Sequence, residues 1–280
     1  MTKDRHVTLR QSFAARYSDA PAVDAAIPDV ALLHSMATRG SCRAFTDKAV
    51  PAAWLDVLCA TALAAPTKSD LQQRDIIVVQ SDDIRKRLAG LVSGQAWVTD
   101  APMIAVICGN NRRQRLLHEW HDVPFANDHL DALFNAACDA AIAMGAFVTA
   151  AEALGLGCCP ISAVRNEAAA VSSLLNLPDH VFPFAGLAFG FPGQSPVISK
   201  RLPLGVTYHT DRYAEDGLRE AVAEYDRWRA ETHPYRNQRA TDTFGHSDSY
   251  GWPEDKVRQY SAPERADFGE YVRARGFKLD

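Results

Sequence analysis

The chain has 280 residues and 47% hydrophobic composition, enough to bury one large core or two small ones. A formal charge of −4 and a pI near 6.1 exclude a general nucleic-acid binder, so basic clusters are read one at a time as local anion sites. No apolar run follows Met1-Thr2-Lys3-Asp4-Arg5, which speaks against a signal peptide and sets a cytoplasmic location as the expectation.

Residues 1–29 read as a polar, Ala-rich N-terminal arm. Helical periodicity follows through Val30, Leu32, Leu33 and Met36 to the Arg39-Gly40 turn. Pro51 is placed to open a second helix through Trp54, Leu55, Leu58 and Leu63, stopping near Pro66. Asp75–Gln80 is a β-branched strand run, Asp83–Leu91 a helix, and Pro102–Cys108 a short buried strand closed by Gly109-Asn110-Asn111. From Asn110 to Asp131 the mixture of polar and aromatic residues predicts a loop excursion.

Ala136–Leu156 carries only Asp139, Thr149 and Glu152 as clearly polar residues. As a helix it would be about 30 Å long, enough to span a bilayer. Its two carboxylates and many alanines predict instead a helix buried on most sides by protein or in a subunit interface, with no membrane partner. Gly155-Leu156-Gly157 ends it. Strands are predicted at Cys158–Ser162 and Val181–Phe191, a helix at Glu167–Leu175 and an edge strand at Val206–His209. Beyond Asp211 charged residues are denser than the 23% of the whole chain. Tyr213–Glu231 and Ala266–Phe277 predict helices, with a loop between them through Thr241–Gly245 and Tyr250–Pro253. Aromatic residues persist to the end, so this last quarter of the chain folds rather than trails.

The six cysteines form no CxxC pair, and vicinal Cys158-Cys159 reads as two small buried thiols. His118-Glu119-Trp120-His121 lacks the spacing of a helical zinc motif, so no metal site is expected. Gly186–Gly193 is Gly-rich but is not GxGxxG and opens no helix, so it reads as a strand entering a turn.

Four separated runs carry the chemistry. Arg39-Gly40-Ser41-Cys42-Arg43 and Ser199-Lys200-Arg201-Leu202-Pro203 each gather cations and backbone donors suited to a phosphate, whose oxygens accept charge-assisted hydrogen bonds. Between them lie Ala65-Pro66-Thr67-Lys68-Ser69-Asp70-Leu71-Gln72-Gln73, just before a strand, and Ala151-Glu152-Ala153-Leu154-Gly155-Leu156-Gly157-Cys158-Cys159-Pro160-Ile161-Ser162.

In this order and spacing the runs resemble the FMN-dependent nitroreductase family, specifically its larger NADPH-preferring branch, over about residues 30–213. The resemblance implies an α+β fold with a central, mainly antiparallel sheet flanked by helices, homodimeric through the long central helix. It implies an FMN-binding domain at 30–213 and a charged helical extension at 214–280 that wraps the partner subunit or the pocket. It places Arg39, Gly40, Ser41 and Arg43 at the flavin phosphate and ribityl chain, with Lys200 and Arg201 on the same phosphate. Thr67, Ser69, Asp70 and Gln72 fall to the ribityl oxygens and pyrimidine edge, Gln95 to the isoalloxazine, and Pro160, Ile161 and Ser162 to one flavin face. Asp70 stands where Asn is usual, and a carboxylate can only accept. The alternative for Thr67 and Ser69 is a role confined to shaping the turn after Pro66. No side chain is nominated as catalytic.

The implied activity is ping-pong hydride transfer from NADPH or NADH through FMN to a small electron-poor acceptor, a nitroaromatic first. Quinone, flavin or enone reduction, reductive dehalogenation, or flavin binding without a nitro substrate are the alternatives. Acceptor choice is assigned to the 110–131 excursion and the C-terminal segment, and Arg229, Arg236 and Arg239 are candidates for a coenzyme 2′-phosphate by charge alone.

Overall fold

In the computed structural model every residue except Met1, Ala25, Asp29, Ser93 and Gly94 is described, and Thr2–Arg5 by their backbone alone. In chain order the elements are α1 (Thr2–Arg16), α2 (Ala31–Thr38), α3 (Ala52–Leu63), β1 (Arg74–Val79), α4 (Asp82–Leu91) and β2 (Met103–Asn110). There follow α5 (Arg112–Trp120), α6 (Leu130–Ala153), β3 (Gly157–Ile161), α7 (Ala168–Leu174) and β4 (Val181–Gly190). The last are α8 (Leu204–Thr207), α9 (Leu218–Ala230), α10 (Thr241–Phe244), α11 (Trp252–Gln259) and α12 (Phe268–Ala274). They divide into two compact units, one of Met1–Arg39 with Val197–Glu264, the other of Gly40–Pro196 with Arg265–Asp280.

The second unit holds a four-stranded sheet in the order β1-β2-β4-β3, antiparallel throughout and flanked by helices, as the α+β expectation required. Successive residues of a strand face opposite sides. Thus Ile104, Val106 and Cys108 of β2 join Leu88 of α4 and Val171 of α7, while Ala105 and Ile107 join Leu55 and Leu58 of α3 and Ala140 and Phe147 of α6. Both faces are covered, so β2 and β4 read as unbroken apolar runs rather than alternating ones.

Helix α6 starts earlier than the apolar run predicts, because His129 caps it by accepting from the Asp131 N–H. Among the described residues it alone is long and apolar enough to cross a membrane by length and composition. Ala136, Ala140, Ala143 and Ala151 are fully buried, yet Leu130, Phe134 and Ile142 are exposed, so this chain by itself covers less of the helix than expected.

The 110–131 segment corrects the loop expectation: Arg112–Trp120 is helix α5. Its Arg, Gln and Leu residues are good helix formers, and its cations find carboxylates elsewhere in the unit. Arg113 meets Asp75 at 3.1 Å, and Arg115 bonds Asp128. Asp128 also receives Lys278 at 2.8 Å. The Arg115 hydrogen bond, aided by Lys278, holds the Asp128 carboxyl down at about 2. A carboxyl depressed below its unfolded value of about 3.9 stabilises the fold fully above that pH and progressively less as pH falls toward 2. The stability difference between wild type and Asp128→Asn is therefore expected to shrink between pH 5 and pH 2 (roughly the titration window), as measured by urea midpoints.

The first unit is helical. Leu9 of α1 packs with Val23, Val30 and Ala37, whereas Leu32, Leu33 and Met36 of α2 are exposed. Val206–His209 is not an edge strand; Leu204–Thr207 forms the short helix α8 after Pro203. The tail between α9 and Glu264 is likewise no loop but contains α10 and α11. Asp226 caps α11 by accepting from the Trp252 N–H at 2.6 Å. Buried Asp255 accepts from Tyr250 at 2.9 Å and Arg239 at 3.1 Å, and buried Arg258 donates to the Arg239 and Gly245 carbonyls.

Candidate flavin site

In the sheet unit the first and third runs lie side by side. Ser41 bridges Cys158 in parallel, the Cys42 N–H donating to the Cys158 carbonyl at 2.9 Å. The approach needs glycine at 157, since a Cβ there would meet Cys42 Sγ at 2.6 Å. This seats Cys42 in the core and leaves Ser41 and Arg43 exposed. The Arg43 guanidinium lies 5.8 Å from the Trp97 ring centroid, which brings the Gln95 segment to the same neighbourhood. Along β3, Pro160 and Ser162 are exposed while Ile161 is buried in the core. Ile161 can therefore offer a ligand only its backbone.

The second run occupies the opposite corner. It enters β1, at the far edge of the sheet from β3, and at the other end of the strands: Arg74 pairs with Gly109, while Gly157 pairs with Gly190. Asp139, fully buried on α6, organises this run. It accepts from the Thr67 hydroxyl and from the backbone N–H groups of Lys68 and Gln73, at 2.5, 2.9 and 2.8 Å. Buried Arg74 stands 3.8 Å from the same carboxylate and donates to the carbonyls of Leu63 and Ala65. The Thr67 oxygen also accepts from the Gln72 N–H at 2.8 Å. Its one proton is thus spent on Asp139 of α6, a bond that shapes the turn, and only a lone pair remains for a ligand.

Held this way, the loop keeps Ser69, Asp70 and Gln72 at φ of 49°, 56° and 52°. Left-handed non-glycine residues cost roughly 1–3 kcal/mol each and gather at functional sites. Asp70 accepts from the Gln72 side-chain amide at 3.1 Å, so its carboxylate has the donor it needs. Beside the loop lies a cavity of about 320 Å³ lined by Lys68, Ser69, Asn111, Gln114, Phe125 and Asp131, among others. The Gln114 Oε1 is buried and has no hydrogen-bond partner.

In the helical unit Arg39 and the fourth run are drawn together. The buried Arg16 guanidinium donates to the Arg39 carbonyl at 2.6 Å and to the Ser199 carbonyl at 3.2 Å. Arg201 is exposed, with Nη1 on the Ser199 hydroxyl at 2.7 Å. Lys200 turns the other way: it is buried, its ammonium donates to the Trp228 carbonyl at 2.6 Å, and it lies 3.8 Å from the Trp228 ring centroid. It anchors the run on α9 rather than presenting a cation. In the sheet unit His118 lies edge-on to Phe125 at 5.1 Å and bonds the Val123 carbonyl.

Residues 36–191 match the nitroreductase family, and residues 199–280 match its C-terminal domain. The chain belongs to the nitroreductase family. Among its relatives, an FMN reductase [NAD(P)H] of Bacillus subtilis is 31% identical over 252 residues, covering 89% of this chain and 98% of the relative. An oxygen-insensitive NADPH nitroreductase of Salmonella typhimurium is 32% identical over 191 residues, covering 68% of this chain and 78% of the relative. The solved structure of Bacillus megaterium NfrA2 superposes with a TM-score of 0.81 at 31% identity, covering 89% of this chain and 98% of that one.

Each unit taken by itself offers groups that a flavin mononucleotide would use: exposed Arg201 in the helical unit, and in the sheet unit exposed Arg43, the left-handed residues of the 67–73 loop and the exposed Pro160. Sequence reading missed Asp139, Arg74, Arg16 and Trp228 as organisers. Only Asp139 carried a signal, being one of two carboxylates in an alanine-rich apolar run, where a buried charge must be partnered.

Proposed function

We propose that this nitroreductase-family protein is an NAD(P)H-dependent flavoprotein reductase that holds FMN. Arg39, Ser41, Arg43 and Arg201 take the phosphate; the 67–73 loop, Gln95 and the Pro160–Ser162 backbone surround the ring and ribityl chain. The observation that carries this reading is the single Arg16 guanidinium joining the Arg39 and Ser199 carbonyls, so that two basic runs far apart in sequence open from one place. The names of relatives about 30% identical, FMN reductase and NADPH nitroreductase, support it. FMN supplies, when bound, the two-electron chemistry that no side chain here can provide. The chain binds, orients and neutralises: two exposed guanidiniums match the charge of a phosphomonoester, and the Pro160 surface receives a ring.

The second run stands at the far corner of the sheet, three strand spacings, or about 14 Å, from the β3 edge. We assign it to the flavin of a second copy, in a homodimer whose interface uses the exposed Leu130, Phe134 and Ile142 of α6. The acceptor proposed is a nitroaromatic compound. The 320 Å³ cavity is at the small end of the roughly 300–1,000 Å³ range of ligand pockets. Phe125 offers a stacking wall there and Lys68 a cation, which suits a single electron-poor ring. Reduction of free flavin is the second reading, favoured by the Bacillus subtilis relative and by an NADPH-flavin oxidoreductase of Vibrio harveyi that is 31% identical over 186 residues.

The test is spectroscopic. Full-length protein is loaded with FMN, reduced under argon with NADPH or NADH, and re-oxidised with a nitroarene, a quinone or free FMN. Bleaching followed by stoichiometric re-oxidation by the nitroarene is expected. Re-oxidation by free flavin alone would select the second reading, and a protein that cannot be loaded with FMN would overturn both.

A further inference from the structure

The N-terminal arm precedes the matched family region, yet its polar side chains end on the basic runs. Arg16 closes α1 and is 5% exposed. Its Nε–H donates to the Ala37 carbonyl at 2.9 Å, and its two terminal nitrogens hold the Arg39 and Ser199 carbonyls. In return the Arg201 N–H donates to the Arg16 carbonyl at 2.7 Å. Nearby, Asp19 accepts from the Leu204 N–H at 2.8 Å with one oxygen and from the Gly205 N–H at 3.0 Å with the other. Residues 16–19 therefore grip the 199–205 segment at both ends while the same guanidinium fixes the exit of α2.

A guanidinium presents its donors in a rigid plane, so the carbonyls it joins are held at fixed mutual positions. The arm that carries it is itself braced. Arg10 donates twice to the Val23 carbonyl, His6 bonds the Ile27 carbonyl, and Leu9 is buried. Lys200, between the two gripped points, is pinned separately: its carbonyl accepts from Tyr225 at 3.3 Å, and its ammonium sits on Trp228. Of the fourth run's cations, Arg201 is the one left exposed, and its backbone is set by Arg16.

We infer that Arg16, supported by Asp19, is a positioning residue for phosphate recognition, setting the placement of Arg201 relative to Arg39 through the backbone. This rests on the FMN reading above. A link that merely held the fold together would weaken all flavins alike; a positioning link weakens only the flavin that carries a phosphate.

The test compares FMN with riboflavin, which has the same ring and ribityl chain but no phosphate. Dissociation constants are measured by fluorescence quenching on flavin-depleted full-length protein. Arg16→Met is expected to weaken FMN by about tenfold or more with riboflavin within about twofold, and Arg16→Lys to fall between. Asp19→Ala, at an exposed site, should reproduce a smaller loss for FMN alone. The Arg16→Met/Arg201→Ala double variant should bind FMN about as Arg201→Ala does, because the first residue acts through the second. Should Arg16→Met not fold, Asp19→Ala and Arg16→Lys carry the decision. An unchanged FMN-to-riboflavin ratio in those variants, or parallel loss of both flavins, overturns the inference. If wild type itself binds FMN no tighter than riboflavin, the phosphate reading falls and this one with it. If Arg201→Ala abolishes the preference while Arg16→Met and Asp19→Ala keep it, this inference alone falls.

Discussion

Replacing Asp139 with alanine is expected to destabilise the protein by about 3–5 kcal/mol, the usual cost of stranding one partner of a buried ion pair. The carboxylate is 1% exposed and serves the Thr67 hydroxyl, two backbone N–H groups and the Arg74 guanidinium at once. Its loss leaves a buried cation without its counter-charge and releases a loop that three left-handed residues already strain. Thr67→Val removes a donor to that carboxylate and an acceptor for the Gln72 N–H, and should cost about 1.5–3 kcal/mol, the worth of a hydrogen bond to a charged group. Urea unfolding of the two variants measures both. An alanine variant within about 1 kcal/mol of wild type would mean that Asp139 does not organise the second run, since substitutions with no such role usually stay near ±0.5 kcal/mol.

Arg43→Ala and Arg201→Ala should behave in the opposite way, losing flavin rather than fold. Both side chains are exposed, so little stability is at stake. A hydrogen bond to a charged group contributes about 1.5–3 kcal/mol, which predicts FMN affinity lower by roughly 10- to 150-fold. Lys200→Met supplies the contrast, because its ammonium is buried against Trp228. It should lower the unfolding midpoint before it lowers FMN affinity at a given degree of folding. Flavin loss from Lys200→Met at full stability, with Arg201→Ala unaffected, would move the phosphate contact to Lys200.

Elements with strong local signals were legible in the chain. The β-branched runs of β1 and β2, the proline entering α3 and the glycine ending α6 each announce themselves within a few residues. Elements fixed by remote partners were not. Val206–His209 reads as an edge strand until Asp19, far away in sequence, is seen capping the Leu204 and Gly205 N–H groups that open helix α8. The tail around Asp255 and Arg258 reads as a loop because its interior is ionic rather than apolar. The same distinction runs through the candidate site. Four runs give the residue types that suit a flavin, but whether a given side chain faces a ligand depends on what else claims it. Asp139 claims Thr67, Trp228 claims Lys200 and the core claims Ile161, and none of those partners is near in sequence.

The contact between Lys200 and Trp228 also makes the protein its own instrument. An ammonium held 3.8 Å from an indole centroid polarises that ring, so the colour and yield of Trp228 emission depend on where the 199–201 segment stands. With the other four of the chain's five tryptophans replaced, Trp228 fluorescence would report whether the Lys200 contact is made or broken, label-free and in real time.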